Sequence, residues 1–271
     1  MTAADRRTRV PPRKRFGQHF LEPAWVAKLI EVLSPAPTDL FLEIGPGRGA
    51  LTIPLAARAG RLIGIEVDRD LARSLADLLP ANARVVAGDF LETHLGDLLR
   101  GEPTPARVVG NLPYNVASPM LFKLMAEASE GRVVTDATLM VQREVAARLV
   151  ARPGSSDYGA LTIAASLSAD VDRLLSLPPG AFRPVPKVSS AVVRFRFRKP
   201  IVEIASRAAF FRVVRELFSH RRKTVLNAFT ALADEKGRSA AEVLAELGVD
   251  PRLRPSDLTV ADYARLSRAV L

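Results

Sequence analysis

Apolar residues along the chain follow two rhythms. Val26, Leu29, Ile30 and Leu33 recur at helical spacing between Trp25 and Leu33, with Pro35 just beyond, so the first predicted element is a helix. From there short apolar runs alternate with helix-spaced stretches. Leu40–Ile44 reads as a buried strand, and a glycine-rich turn at Gly45–Gly49 opens a helix that runs to Ala59. A second strand is predicted over Arg61–Val67, followed by a helix over Asp70–Leu79. A third strand, Arg84–Ala87, ends at Gly88-Asp89-Phe90, and a fourth, Arg107–Gly110, ends at Asn111. Ala137–Val141 is the fifth strand, with a helix from Arg143 to Val150 after it. Val192–Arg198 alternates apolar and basic side chains, the pattern of a half-exposed strand. Beyond Pro200 the spacing is helical only.

Strands alternating with helices imply an α/β fold with a mostly parallel, doubly wound sheet. The change of rhythm at Pro200 predicts one α/β domain over residues 16–200 and a small all-helical domain over 201–271. Residues 1–15 read as a disordered basic arm, since Pro11-Pro12 interrupts any helix. Ligands on such sheets sit beyond the carboxyl ends of the strands. Gly45, Glu66, Asp89 and Asn111 all fall there, separated by 21, 23 and 22 residues, one strand–helix unit each. That regularity places the four on one rim.

Composition narrows the function classes. The 271 residues contain no cysteine, so disulfides, thiol catalysis and cysteine-ligated metals are excluded. The three histidines are scattered, and no metal is expected. No apolar run reaches the ~18 residues that span a bilayer, and no apolar segment of signal-peptide type follows the basic N-terminus. A cytoplasmic monomer without membrane contact is expected. The net charge of +10 is unevenly spread: residues 1–20 carry +5 and residues 183–227 carry +10, leaving the remainder mildly acidic. Two basic segments on an acidic body fit a polyanion-binding surface, and Arg221-Arg222-Lys223 are the candidate phosphate contacts.

The run Glu43-Ile44-Gly45-Pro46-Gly47-Arg48-Gly49-Ala50 turns a strand sharply into a helix, with glycines that let backbone approach a ligand closely. It also meets the loose dinucleotide pattern, so a nicotinamide-dependent oxidoreductase has to be weighed. Pro46 removes an N–H that a pyrophosphate would use, whereas S-adenosylmethionine has no phosphate to lose it. A carboxylate at the second strand's end, Glu66, can accept both ribose hydroxyls of either ligand. Asp89 can accept from an adenine amino group, with Phe90 beside the ring.

The turn Asn111-Leu112-Pro113-Tyr114 decides between them. An adenine amino nitrogen is a poor nucleophile because its lone pair is shared with the ring. Two acceptors aimed at its N–H bonds, the Asn111 side-chain oxygen and the Leu112 carbonyl, can hold the nitrogen toward tetrahedral geometry and free that pair. Pro113 stiffens the turn and Tyr114 can stack on the extruded base, a contact of ~1–3 kcal/mol. A nicotinamide enzyme leaves these residues unexplained.

With these motifs in place the chain resembles the KsgA-type ribosomal RNA adenine dimethyltransferases from about Arg13 to its end. Phe16-Gly17-Gln18-His19-Phe20-Leu21 is similar to that family's N-terminal cofactor motif, with His19 where the family usually has Asn. Glu43–Gly49, Glu66, Gly88-Asp89-Phe90 and Asn111–Tyr114 match its successive sheet-edge motifs. Phe182-Arg183-Pro184-Val185-Pro186-Lys187-Val188-Ser189-Ser190 is similar to its target-side loop, and Leu217–Phe229 to part of its helical domain. The resemblance implies a Rossmann-like class I methyltransferase sheet and S-adenosyl-L-methionine as cofactor. It implies cofactor contacts from His19, Leu21, Gly45, Gly47, Glu66, Asp89, Phe90 and Asn111, and catalytic roles on the adenine for Asn111, Leu112, Tyr114 and Phe182. The expected substrate is two adjacent adenines in the 3′-terminal hairpin loop of small-subunit (16S) RNA, met on an assembling 30S subunit. Two alternatives stand beside it: a resistance-type methyltransferase of large-subunit RNA, and an RNA-binding assembly factor that keeps the fold without the chemistry.

Overall fold

The computed structural model describes residues 19–103, 105–131 and 133–271. The predicted basic arm and Phe16-Gly17-Gln18 lie outside the described residues. The chain divides into two compact units, one of residues up to 146 together with 170–198, the other of 147–169 together with 199–271.

The first unit is built on a seven-stranded sheet. Its strands are β2 (Leu40–Ile44), β3 (Arg61–Glu66), β4 (Ala83–Ala87), β5 (Ala106–Asn111), β6 (Val134–Gln142), β7 (Ala169–Leu177) and β9 (Ser190–Phe197), in the order β4-β3-β2-β5-β6-β9-β7. β4 through β6 pair in parallel and β9 runs antiparallel to β6. Every residue of β2 is buried, as a central parallel strand covered on both faces requires. A separate two-stranded pair joins β1 (Phe20–Leu21) to β8 (Phe182–Arg183).

Helix α1 (Pro23–Leu33) buries the predicted stripe Val26, Leu29, Ile30 and Leu33. These residues share one apolar cluster with Phe41, Leu62, Val109, Met140, Val192 and Phe182. After the glycine turn comes α2 (Thr52–Ala56). Helix α3 (Arg69–Ala76) is capped by Asp68, whose side chain accepts from the Asp70 and Leu71 N–H groups. The short α4 (Leu95–Leu98) precedes β5, and α5 (Ala117–Gly131) connects β5 to β6. The sequence reading had no element over α5. Pro119 hid it, yet that residue lies in the first helical turn, where no N–H is needed. Helix α6 (Arg143–Leu149) begins where β6 ends.

The second unit holds α7 (Ala160–Ser168), α8 (Arg207–Ser219), α9 (Val225–Asp234), α10 (Ala240–Glu246) and α11 (Val260–Ala269). The expected boundary near 200 therefore needs a correction, because 147–169 groups with the helical unit. Tyr158, Ile163 and Leu167 pack into the cluster that also contains Phe210, Val214, Leu217, Phe229 and Tyr263, and the Tyr158 hydroxyl donates to the Leu258 carbonyl at 2.8 Å. The α8 stripe runs through fully buried Phe210 and Val213, while Phe211 and Phe218 sit at its margin. No described helix is long and apolar enough to cross a membrane.

Candidate active site

Strand register brings the predicted rim together. Ile44 stands beside Ile65 on one side and Gly110 on the other, and Glu66 stands beside Ala87. Gly45 and Gly88-Asp89 therefore leave the sheet at the same edge at which β3 ends with Glu66 and β5 with Asn111. Backbone bonds fasten that edge: the Gly45 N–H donates to the Ile65 carbonyl and the Gly88 N–H to the Glu66 carbonyl, each at 2.9 Å. Gly110 leaves no room for a side chain beside β2, since a Cβ there would lie 2.7 Å from the Ile44 carbonyl oxygen.

Above this edge opens a cavity of about 240 Å³. His19, Leu21, Gly45, Gly47 and Glu66 line it, as do Asp89, Phe90, Asn111, Leu112 and Tyr114. Glu66 is buried and held from two sides: its Oε2 accepts from the Gly47 N–H at 2.8 Å and its Oε1 from the Asp68 N–H at 2.9 Å. Gly47 can present that N–H because it adopts φ +57°, a conformation that other residues rarely take. Burial pushes the Glu66 carboxyl above its ordinary range, while the two N–H donors pull it back. Asp89 Oδ1 accepts from the Leu91 N–H at 2.8 Å, which closes the turn after β4.

The Asn111 turn is equally fixed. Asn111 Nδ2 donates to the His19 carbonyl at 2.7 Å, which leaves Oδ1 as the end of the amide without a partner among the described residues. The Leu112 N–H donates to the Met140 carbonyl and the Val116 N–H to that of Pro113, both at 3.1 Å. The Tyr114 hydroxyl lies 2.6 Å from Ser190 Oγ, and its half-buried phenol is pushed to a higher pKa by desolvation. Ser190, the last residue of the target-side loop motif, thereby gains an individual role that its place in the motif does not announce.

One expected residue does not line this cavity. Phe182 is fully buried in the apolar cluster beneath α1 and does not line the cavity. In β8 it stands opposite Leu21 of β1, and its side chain is packed in that cluster, not held out toward the cavity. Arg221, Arg222 and Lys223 lie in the second unit, exposed on the turn between α8 and α9, with Arg221 donating to the Ser156 carbonyl at 2.9 Å.

The comparisons with known proteins bear on what this cavity serves. The family model described as ribosomal RNA adenine dimethylase matches residues 11–270. The chain belongs to that family. It is 43% identical to the ribosomal RNA small subunit methyltransferase A of Nitrosococcus oceani, over 94% of this chain and 95% of that one. Among solved structures, a dimethyladenosine transferase from Plasmodium falciparum is 25% identical with a TM-score of 0.74, covering 92% of this chain and 96% of that one. The 23S rRNA methyltransferase ErmE is 28% identical with a TM-score of 0.64, covering 93% and 99%.

As a member of the dimethylase family the chain is an S-adenosylmethionine-dependent methyltransferase with the class I fold. The cavity suits that cofactor on its own terms. Its carboxylate is pinned by backbone donors with lone pairs left over, and a Cβ on Gly47 would lie 3.0 Å from the ring of Phe20, which also lines the cavity.

One lining residue carries chemistry that the sequence reading did not assign. Glu43 interrupts the apolar run Leu40–Ile44, is almost fully buried, and lines the cavity. Burial pushes its carboxyl from 4.5 to about 8; the Thr52 hydroxyl holds it back in part and the Glu66 charge adds to the rise. Neither Glu43 Oε2 nor Thr52 Oγ1 has a full hydrogen-bond partner among the described residues. A raised pKa means that the folded protein binds this proton more tightly than the unfolded chain does. The associated stability is complete below 4.5 and is lost as pH rises toward 8. Glu43→Gln removes the titration, so the variant's melting temperature should gain on the parent's steadily from pH 5 to pH 8, measured without cofactor. Parallel curves would show that Glu43 does not titrate there.

Proposed function

We propose that the protein transfers methyl groups to N6 of two adjacent adenines in the 3′-terminal hairpin loop of small-subunit ribosomal RNA, giving N6,N6-dimethyladenine late in subunit assembly. The observation that carries this reading is the pinned Asn111 amide: with Nδ2 engaged by the His19 carbonyl, Oδ1 is the end offered to the cavity. When bound, S-adenosylmethionine supplies an electrophilic methyl group on a sulfonium. Glu66 accepts from the ribose hydroxyls and Asp89 from the cofactor's adenine amino group. Asn111 Oδ1 and the Leu112 carbonyl accept from the target amine, and Tyr114 stacks on the target ring. No strong base is required, because the methylated nitrogen is cationic when formed and sheds its proton readily. The residues contribute positioning and electrostatics around a developing positive charge.

Arg221, Arg222 and Lys223 meet the RNA backbone in this reading, fixing position without choosing the base. Replacing all three by alanine should reduce the slope of log affinity against log salt by one to three charge equivalents. An unchanged slope would assign them to solubility. The working form is a cytoplasmic monomer whose partner is the assembling 30S particle.

A second reading, methylation of large-subunit RNA, rests on the likeness to ErmE. The higher identity to small-subunit enzymes favours the first. Incubation with unmethylated small subunits and, separately, with large-subunit RNA, followed by mapping of modified bases, tests both. Adjacent dimethyladenines in the small-subunit hairpin are the expected product. Binding to small subunits without methyl transfer would leave an assembly factor instead.

A further inference from the structure

Tyr114 lies on the turn after β5, yet the hydroxyl it meets belongs to a strand that is not β5's neighbour. In the sheet β6 separates β5 from β9, and Ser190 is the first residue of β9. Adjacent strands stand ~4.8 Å apart, so the step from β5 to β9 is about twice that. The tyrosine makes the crossing at the end of β6, and its hydroxyl comes to lie 2.6 Å from Ser190 Oγ. A phenylalanine would stop short of it. Ser190 is a firm post for this bond. It is buried, it pairs with Gln142 in the β6–β9 register, and the Arg143 N–H donates to the adjacent Ser189 carbonyl at 3.0 Å. At the other end the tyrosine backbone sits in the turn closed by the Val116 N–H on the Pro113 carbonyl. Tyr114 lines the cavity between these two fixed ends, whereas Ser190 does not line it.

We propose that Ser190 is a positioning residue for methyl transfer: it holds the Tyr114 phenol from behind, so that the ring is set before the target adenine arrives. The inference rests on the adenine-methylating reading above, in which Tyr114 stacks on the base, and assigns how that ring is held. A tyrosine side chain turns about two bonds, and stacking on a base has to fix both. A hydrogen bond that has fixed them in advance removes that ordering cost from base capture. Serine suits the task chemically, because a hydroxyl both donates and accepts and so satisfies the phenol in either sense. Each oxygen is the other's partner, and removing one leaves the other without its bond. Since Ser190 stands outside the cavity, its influence on the reaction passes through the Tyr114 hydroxyl.

The experiment compares the parent with Ser190→Ala, Tyr114→Phe and the double variant. The ratio kcat/KM for unmethylated small subunits is measured by methyl transfer below every melting transition, and Kd for S-adenosylmethionine by calorimetry on the protein alone. Each single substitution should lower kcat/KM roughly three- to tenfold, the worth of one hydrogen bond. The double variant should lose no more than the worse single one, because the two hydroxyls act as a unit. Ser190→Thr keeps the hydroxyl and should recover most of the loss, and the cofactor Kd should stay within about twofold throughout. Losses that multiply in the double variant would separate the serine from the tyrosine and overturn the proposal. So would a Ser190→Ala enzyme as active as the parent, or one whose loss is matched by weaker cofactor binding, the mark of a general disturbance of the cavity. A threonine variant that melts with the parent yet recovers nothing would overturn it as well. Absence of methyl transfer by the parent would strike the adenine reading itself and the positioning role with it, whereas an active parent with an unaffected alanine variant strikes the positioning role alone.

Discussion

Asn111→Ala should lower kcat for methyl transfer by about 10²–10³, the loss expected when one preorganised group aimed at developing charge is removed, while affinity for small subunits changes little. The reasoning starts from the amine. Its lone pair becomes available only as the nitrogen pyramidalises, and that geometry is favoured by acceptors on its two N–H bonds. One acceptor is the main-chain carbonyl of Leu112, which no substitution removes. The other is Asn111 Oδ1, whose aim is set by the Nδ2 bond to His19. Asn111→Asp sharpens the test. It keeps an acceptor but brings a carboxylate against the His19 carbonyl, with no donor to hold it in place. Its turnover should fall well below the parent's even though the group is isosteric. KM for RNA should hold within a few-fold in both, because phosphate contacts elsewhere carry most nucleic-acid affinity. Turnover equal to the parent's in Asn111→Ala would remove the side chain from catalysis.

The sequence displayed the sheet edge clearly because that edge is governed by local rules. Short apolar runs, glycines at a strand-to-helix turn and a regular unit length give the positions of Gly45, Glu66, Asp89 and Asn111 without knowledge of any partner strand. What it hid depends on pairing between distant segments. Residues 151–190 show neither rhythm cleanly. β7 alternates only partial burial, and α7 is buried over most of its surface, so neither presents an amphipathic signature. Ile163 and Leu167 of α7 gain their meaning from helices that come dozens of residues later. Glu43 was visible as an acid in an apolar strand, but its raised pKa depends on burial and on Glu66, which lies on the neighbouring strand. The His19–Tyr114 contact joins residues 95 positions apart, and no spacing rule reaches across that distance.

Phe182 is the sharpest case, and its replacement has the largest expected effect on stability. An aromatic among Pro178, Pro179, Pro184 and Pro186 looks like a ring held out to solvent on a stiff loop. In the fold Phe182 stands opposite Leu21 in the β1–β8 pair, and its side chain is packed in the cluster with Val26, Leu29, Phe41 and Val192. Phe182→Ala should therefore cost ~3–5 kcal/mol, the range for emptying a phenylalanine-sized core site, and lower the melting temperature on the order of 10 °C for a chain of this size. Phe182→Leu keeps most of the volume and should lose well under half as much. Assayed well below both melting transitions, each variant should retain kcat and KM within a few-fold of the parent. A stacking residue behaves in the opposite way: the alanine variant would melt with the parent and lose its grip on RNA. The two measurements taken together, thermal unfolding and KM for small subunits, assign the ring to the core or to the base, because a fully buried side chain can reach the base only by leaving the packing that stabilises it.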